Sequence, residues 1–179
     1  IELYPDLRYV RISGLHFHIG SQIQNLSVYE DLCRKINEII PRFEKYFGEL
    51  TYLNVGGGLG IDYDNPDDNP IPDFESYFNV FKTHLDIPFD LPVHFELGRS
   101  IVGQCGRLRT KVLYVKRGVV KNFAVCDAGM TELLRPAMYG ATHQIEKMNA
   151  GIEQEKNIYD IVGPICESSD SFAQGIILP

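Results

Sequence analysis

Short apolar runs alternate with amphipathic stretches over the first part of the chain. Apolar runs at 12–19, 50–55 and 91–96 predict three buried strands. Between them, apolar side chains recur at three- and four-residue spacing over 28–47 and 74–85, which predicts two helices. This alternation of strands and helices is typical of βαβ units in a parallel sheet.

Local signals place the ends of these helices. Ser27 and Glu30 have the spacing of a capping box, and Gly48 is expected to end the first helix. Asp73 is expected to cap the second helix. The segment 62–72 is rich in Pro, Asn and Asp, which predicts a loop.

The pattern changes after residue 103. Strand-type residues at 108–114, 119–125 and 159–165 predict a β-rich part, and no helix-length amphipathic run follows the second of these strands. We therefore predict two domains, an α/β domain over 1–103 and a β-rich domain over 104–179.

Composition narrows the class of protein. The chain has 179 residues and is 44% hydrophobic and 23% charged, which is the balance of a globular domain. The formal net charge of −7 argues against nucleic acid as a partner. No apolar run approaches the roughly 20 residues that cross a bilayer, and the charged residues within 1–9 argue against a signal peptide.

Four cysteines are far apart in the sequence, with no Cys-x-x-Cys pair. This spacing favours reduced thiols in a cytoplasmic protein. The chain begins with Ile1 and ends in the strand-like segment 175–179, so we expect it to be a piece of a longer protein.

Two histidines lie at the end of the first predicted strand. His16 and His18 are expected to point to the same side, because strand side chains repeat every two residues. They could ligate a metal ion, one of them could stack on a flat ring, or both could be hydrogen-bonded core residues.

Two further strand ends carry candidate chemistry. Gly56, Gly57 and Gly58 follow the second strand, and successive glycines let backbone N–H groups converge on an anion, of which phosphate is the usual one. The alternative is a tight turn. Glu96 and Arg99 close the third strand, where α/β barrels keep active-site groups, although a surface salt bridge would give the same pattern.

The β-rich part holds two polar loops. Arg135 and Tyr139 flank a proline and precede a glycine, which predicts a rigid loop that presents polar tips. Cys166 and Glu167 follow the strand predicted at 159–165, and the alternative for Cys166 is an inert buried thiol.

Together these motifs carry a family resemblance. The order His-x-Gly-Ser, Gly-Gly-Gly, Glu-x-Gly-Arg, Arg-Pro-x-x-Tyr-Gly-Ala and Cys-Glu-Ser-x-Asp resembles the diaminopimelate decarboxylases, which are alanine-racemase-fold amino-acid decarboxylases that use pyridoxal 5′-phosphate (PLP). The resemblance implies the last three strands of a (β/α)₈ TIM barrel in 1–103. It implies most of a β-sandwich or barrel-like domain in 104–179.

The resemblance also implies roles for the candidate residues. His18 matches the imidazole that stacks on the cofactor, and Glu96 matches the carboxylate that faces the pyridine nitrogen. The phosphate-binding positions are matched by Ser21, Gly56, Gly57, Gly58, Gly98 and Arg99. Substrate positions are matched by Arg99, Arg135, Tyr139 and Glu167, and the proton donor is matched by Cys166.

By the same resemblance we expect decarboxylation of meso-2,6-diaminoheptanedioate to L-lysine, in a homodimer with shared active sites and with no resident metal. Leu97 replaces the family's usual proline, and we expect little change from it, because no functional group is removed. No lysine here matches the one that forms a Schiff base with PLP, so we expect this piece alone to be inactive. The alternatives are a decarboxylase of ornithine, arginine or carboxynorspermidine, a non-catalytic relative, and a metal-dependent hydrolase that uses His16 and His18.

Overall fold

The computed structural model describes residues 8–148 and 155–179, so most of the segment weighed as a signal peptide lies outside the described residues. The chain divides into two compact units, Ile1–Gly106 and Arg107–Pro179. Each unit has its own hydrophobic core.

The first unit has the predicted parallel sheet. Its strands are β1 (Gly14–His16), β2 (Tyr52–Asn54) and β3 (Val93–His94), in the spatial order β1-β2-β3. Both pairings are parallel, which confirms the strand and helix order. The strands are shorter than predicted, and the apolar residues that flank them, such as Phe17 and Leu91, still pack into the core.

Two long helices cover this sheet, α1 (Ser27–Phe47) and α2 (Phe74–His84). Their aromatic residues form the centre of the core, where the rings of Tyr29 and Tyr77 meet edge to face at 4.9 Å. Both rings are fully buried. Burial of the apolar part of these rings holds the two helices against the sheet, and both hydroxyls are buried without a hydrogen-bond partner among the described residues.

The helix ends confirm two signals and correct one. Asp73 accepts a hydrogen bond from the Ser76 amide at 2.9 Å, and Gly48 ends α1 with φ +83°. The predicted capping box was wrong, because α1 begins at Ser27 itself. The side-chain oxygen of Asn25 takes the capping role instead, accepting from the Ser27 amide at 3.1 Å and from its hydroxyl at 2.9 Å.

Two short helices were not predicted. The helix α3 (Arg99–Val102) begins at the last residue of the Glu-x-Gly-Arg motif. The helix α4 (Arg135–Tyr139) replaces the rigid loop expected there, with Pro136 in its first turn and Gly140 ending it at φ +61°. Four or five residues are too few to show a helical period, so the sequence pattern could not reveal them.

The second unit is built on a four-stranded sheet in the order β4-β5-β6-β7. Its strands are β4 (Val112–Lys116), β5 (Asn122–Cys126), β6 (Asn157–Val162) and β7 (Ser171–Leu178). The β5–β6 pair is parallel, and the other two pairs are antiparallel. The strand predicted at 119–125 starts later, because Val119 and Val120 lie in an exposed turn. Their apolar side chains resemble those of a buried strand in the sequence, although they are not buried.

Candidate active site

The three loops that follow β1, β2 and β3 meet at one edge of the first unit. Parallel strands all present their carboxyl ends at the same edge, and α/β proteins bind ligands there. These loops carry the cofactor-site residues that the sequence predicted: His18, Ser21, Gly56, Gly57, Gly58, Glu96, Gly98 and Arg99.

The glycine run fits between the neighbouring loops. A Cβ atom at Gly56 would lie 2.2 Å from the Phe17 carbonyl oxygen, and one at Gly57 would lie 2.2 Å from that of Glu96. At Gly58, where φ is +102°, it would lie 2.5 Å from the Gly20 carbonyl oxygen. Real Cβ atoms do not approach backbone this closely, so glycine is required here for packing as well as for conformation.

A second set of contacts joins the loop after β1 to the glycine run. The amide of Ile23 donates to the Gly58 carbonyl at 2.9 Å, and the amide of Gly60 donates back to the Ile23 carbonyl at 2.9 Å. Gln22 adopts φ +62°, and its side-chain oxygen accepts from the Ile61 amide at 3.2 Å. The two residues that follow Ser21 are therefore tied to the glycine run and to the residues just after it.

Glu96 is held by two side chains that the sequence analysis did not connect to it. Asn54 Nδ2 donates to Glu96 Oε1 at 2.9 Å, and His16 Nε2 lies 3.5 Å from Glu96 Oε2. Asn54 is buried, and its side-chain oxygen accepts from the Gly56 amide at 2.8 Å. One asparagine therefore ties the carboxylate to the glycine run. The pattern could not single it out, since an Asn at the end of a strand more often belongs to a turn.

Arg99 provides a cation at the same edge. Its Nη1 donates to the Tyr63 hydroxyl at 2.7 Å and its Nη2 donates to Ser21 Oγ at 2.9 Å, which brings two predicted residues together. Its Nε is buried without a hydrogen-bond partner among the described residues. Within that part of the chain, Arg99 also forms no ion pair with a carboxylate.

The chemistry of this edge is that of an anion site with a separate carboxylate. A guanidinium with an orphaned donor, a serine hydroxyl and a run of glycines converge, which suits a phosphate group. Gly98 adds open space, since a Cβ there would meet nothing within 4 Å. Tyr63 escaped the sequence analysis because it lies in the Asp- and Pro-rich loop, where no period or motif marked it.

No group of three or more His, Cys, Asp and Glu side chains is placed to hold a metal ion across 8–148 and 155–179. No described helix has the length and apolar character of a membrane span.

In the second unit, Arg135 and Tyr139 lie at opposite ends of α4. The Arg135 guanidinium lies 6.0 Å from the centre of the Tyr139 ring, and Tyr139 is 71% exposed. His143 is half-buried nearby. Burial, followed by the charge of Arg135, lowers the pKa of His143 below its ordinary value. Both causes favour the neutral imidazole, so Arg135 is the cation of this pair.

Cys166 and Glu167 lie on the loop between β6 and β7, and both are exposed. The Ser169 amide and the Ser168 hydroxyl donate to the Glu167 carboxylate. Both bonds lower the pKa of Glu167 and keep it ionised, and the bond from the Ser169 amide has the larger effect. An exposed thiol beside a fixed carboxylate can face a ligand that carries a positive group.

The comparisons with known proteins bear on both units. The family model described as "Pyridoxal-dependent decarboxylase, C-terminal sheet domain" matches residues 16–179. The chain belongs to the pyridoxal-dependent decarboxylase family. It is 48% identical over 178 residues to diaminopimelate decarboxylase from Bacteroides thetaiotaomicron, covering 99% of this chain and 46% of that protein.

Solved structures of family members have the same architecture. Diaminopimelate decarboxylase from Helicobacter pylori in complex with L-lysine matches with a TM-score of 0.82 and 35% identity, over 96% of this chain and 41% of that one. The arginine decarboxylase of Paramecium bursaria Chlorella virus matches with a TM-score of 0.83 at 17% identity, over 98% of this chain and 47% of that one. This second likeness shows the fold alone. The chain spans less than half the length of each of these relatives.

Proposed function

We propose that the protein to which this chain belongs is a PLP-dependent decarboxylase that converts meso-2,6-diaminoheptanedioate to L-lysine and CO₂. The observation that carries the proposal is the strand-end edge of the first unit, where Glu96 and the Ser21–Arg99 pair flank one glycine run. Relatives named diaminopimelate decarboxylase, one of them solved with L-lysine, support the substrate and product.

The residues at this edge fit the cofactor. The orphaned Arg99 Nε, the Ser21 hydroxyl and the loops at Gly56–Gly58 and Gly98 would hold the phosphate. PLP supplies an electron-accepting ring for the charge left when CO₂ departs. Glu96, fixed by Asn54, would hold a proton on the pyridine nitrogen. His18 would pack its imidazole against the ring face.

The second unit supplies the substrate contacts in this proposal. Arg135 would bind a substrate carboxylate through paired hydrogen bonds, with Tyr139 beside it. Glu167 would bind an ammonium group, since its lowered pKa keeps it charged. Diaminoheptanedioate carries both groups at the end distant from the reaction, whereas ornithine carries only the ammonium. Cys166 would donate a proton to the α-carbon, because its exposed thiol can reach a ligand and can act as a general acid.

The larger assembly is also a proposal. The first unit would be the last three strands of a (β/α)₈ barrel, and the second would be most of the β-domain. The working form would be a cytoplasmic homodimer in which Cys166 and Glu167 serve the partner's site. An exposed position for both side chains supports this arrangement, since neither is enclosed by its own unit.

A substrate panel on the full-length protein tests the activity. Diaminoheptanedioate, ornithine, arginine and carboxynorspermidine are compared by CO₂ release. We expect kcat/KM to be at least about 100-fold higher for diaminoheptanedioate, because its extra carboxylate pairs with Arg135. In an Arg135→Ala variant, kcat/KM for diaminoheptanedioate should fall more than kcat/KM for ornithine. Preference for ornithine or arginine in the native protein would contradict the substrate assignment, and no CO₂ from any of the four would contradict the activity.

Complementation tests the shared sites. A Cys166→Ala protein and a protein that lacks the cofactor-binding lysine should each be nearly inactive. After subunit exchange, their mixed dimers should contain one complete site and recover part of the activity. If subunit exchange is demonstrated but no activity returns, Cys166 serves its own chain.

A further inference from the structure

A buried carboxylate in the second unit lies outside the groups proposed to contact the cofactor or the substrate. Asp170 is only 4% exposed, although it is the last residue of the exposed loop that carries Cys166 and Glu167. Its Oδ1 accepts from the Met130 amide at 2.6 Å, and its Oδ2 accepts from the Ile165 amide at 2.7 Å. The two oxygens thus bind two segments that are far apart in sequence.

The surroundings of this carboxylate leave no room for a larger group. A Cβ at Gly163 would lie 2.3 Å from Asp170 Oδ2, and one at Gly129 would lie 2.8 Å from Oδ1. The Gly163 amide also donates to the Asp170 carbonyl at 3.0 Å. Glycine at these two positions therefore lets the carboxylate reach both amides.

The two segments that Asp170 joins lead to the two sets of proposed substrate residues. Ile165 immediately precedes Cys166 and Glu167. Met130 lies in the turn that leads into α4, where Arg135 and Tyr139 are. The backbone of this turn is further fixed where Glu132 and Leu133 donate to the Gly129 carbonyl.

We infer that Asp170 is a positioning residue that fixes the Cys166–Glu167 loop against the segment leading into α4. For its effect on catalysis, this inference rests on the proposed function. The carboxylate holds the loop that carries the proton donor and the ammonium-binding group in the one position from which both would serve the partner's site. Catalysis is sensitive to misplacements of this kind, because the reacting groups must start in nearly the right geometry.

The charge of Asp170 matters because each oxygen has its own donor. In Asp170→Asn the amide nitrogen has to face either the Met130 or the Ile165 N–H, so one bond is lost and two donors meet. Asp127 offers a matched control in the same unit. Its Oδ1 accepts both from the Thr110 hydroxyl at 2.7 Å and from the Lys111 amide at 2.9 Å, so Asp127→Asn keeps both bonds.

The test compares Asp170→Asn and Asp127→Asn with the native full-length holoenzyme. Amide hydrogen exchange is read at single residues, and kcat and KM are measured per bound PLP. We expect exchange at Met130 or Ile165 to accelerate at least about tenfold in Asp170→Asn, with kcat/KM falling at least about tenfold. PLP content and absorbance should stay native, because the proposed cofactor residues belong to the first unit. Asp127→Asn should change none of these by more than about twofold.

The alternatives give different results. A role in stability alone would lower the melting temperature and leave kcat/KM per bound PLP unchanged, which would overturn the inference. Unchanged exchange at both amides would overturn it as well. If Asp170→Asn does not fold, the test is amide exchange in the native protein. Exchange at Met130 and Ile165 as fast as at exposed loop amides would refute the anchoring. If the native protein makes no L-lysine, the proposed function fails. The exchange rates at Met130 and Ile165 then still test whether Asp170 anchors the loop.

Discussion

Asn54 donates its side-chain amide to Glu96 Oε1 at 2.9 Å while its own oxygen accepts from the Gly56 amide at 2.8 Å. A single buried asparagine therefore fixes the carboxylate proposed to face the pyridine nitrogen relative to the glycine run proposed to hold the phosphate. The two ends of the cofactor would be bound by groups whose separation this residue sets.

Replacing Asn54 tests this link. Asn54→Ala should weaken PLP binding about 10- to 100-fold. This factor corresponds to the free energy of a hydrogen bond to a charged group. Asn54→Asp should weaken PLP binding further, because a second carboxylate repels that of Glu96 instead of donating a hydrogen bond to it. PLP affinity is measured by absorbance titration. Asn79→Ala, on the exposed face of α2, is the control. Equal affinity for native protein and Asn54→Ala would show that the contact has no part in cofactor binding.

The glycine run predicts a strong steric effect. Gly57→Ala should destabilise the first unit by several kcal/mol, because its Cβ would lie 2.2 Å from the Glu96 carbonyl oxygen. Gly106→Ala, where a Cβ meets nothing within 4 Å, should change the free energy of unfolding by less than about 1 kcal/mol. Thermal and denaturant unfolding measure both. A Gly57→Ala protein as stable as Gly106→Ala would contradict the close approach of the two loops.

His143 predicts a pH dependence of the second unit. Its pKa is lowered in the folded state by burial and by Arg135, so the unfolded state binds the proton more readily. Folding stability should therefore be complete above the ordinary histidine pKa of about 6.5 and should decline as the pH falls below it. His143→Gln should flatten this decline. The melting temperature between pH 7.5 and 5.5 measures it, and identical slopes for both proteins would refute the assignment.

Two cysteines of the first unit should differ in reactivity. Burial raises the pKa of the Cys33 thiol to about 11, whereas Cys105 is exposed. Alkylation at pH 8, mapped by mass spectrometry, should modify Cys105 at least about 100-fold faster, because only the thiolate reacts and only Cys105 is accessible. In unfolding concentrations of urea the two rates should converge. Fast labelling of Cys33 in the native protein would contradict its place in the core.

The parts of the fold that depend on local pattern could be predicted from the sequence. Apolar spacing gave both long helices and the parallel order, because one face of each element is buried. Strand ends and the short helices α3 and α4 depend on pairing and on single turns, which leave no period. The strand β5 begins later than predicted because Val119 and Val120 are apolar yet exposed, so their pattern resembles that of a buried strand.

The candidate site divides in a similar way. Glycines and charged residues at strand ends stand out as motifs, so Gly56–Gly58, Glu96 and Arg99 could be selected from the sequence. Their partners could not be selected, since Asn54 and Tyr63 are polar residues whose contacts span 42 and 36 positions of the chain. Only the folded structure shows which of many such residues is buried beside a charge.

The most direct test of the central claim is the turnover of diaminoheptanedioate by the full-length protein and its Glu96→Gln variant at matched PLP content. Glu75→Gln, an exposed carboxylate on α2, serves as the control. We predict L-lysine and CO₂ in equal amounts from the native protein and the control. In Glu96→Gln we predict a fall of at least about 100-fold, because a neutral amide does not hold the pyridine proton. Near-native turnover by Glu96→Gln with full PLP content would contradict the account.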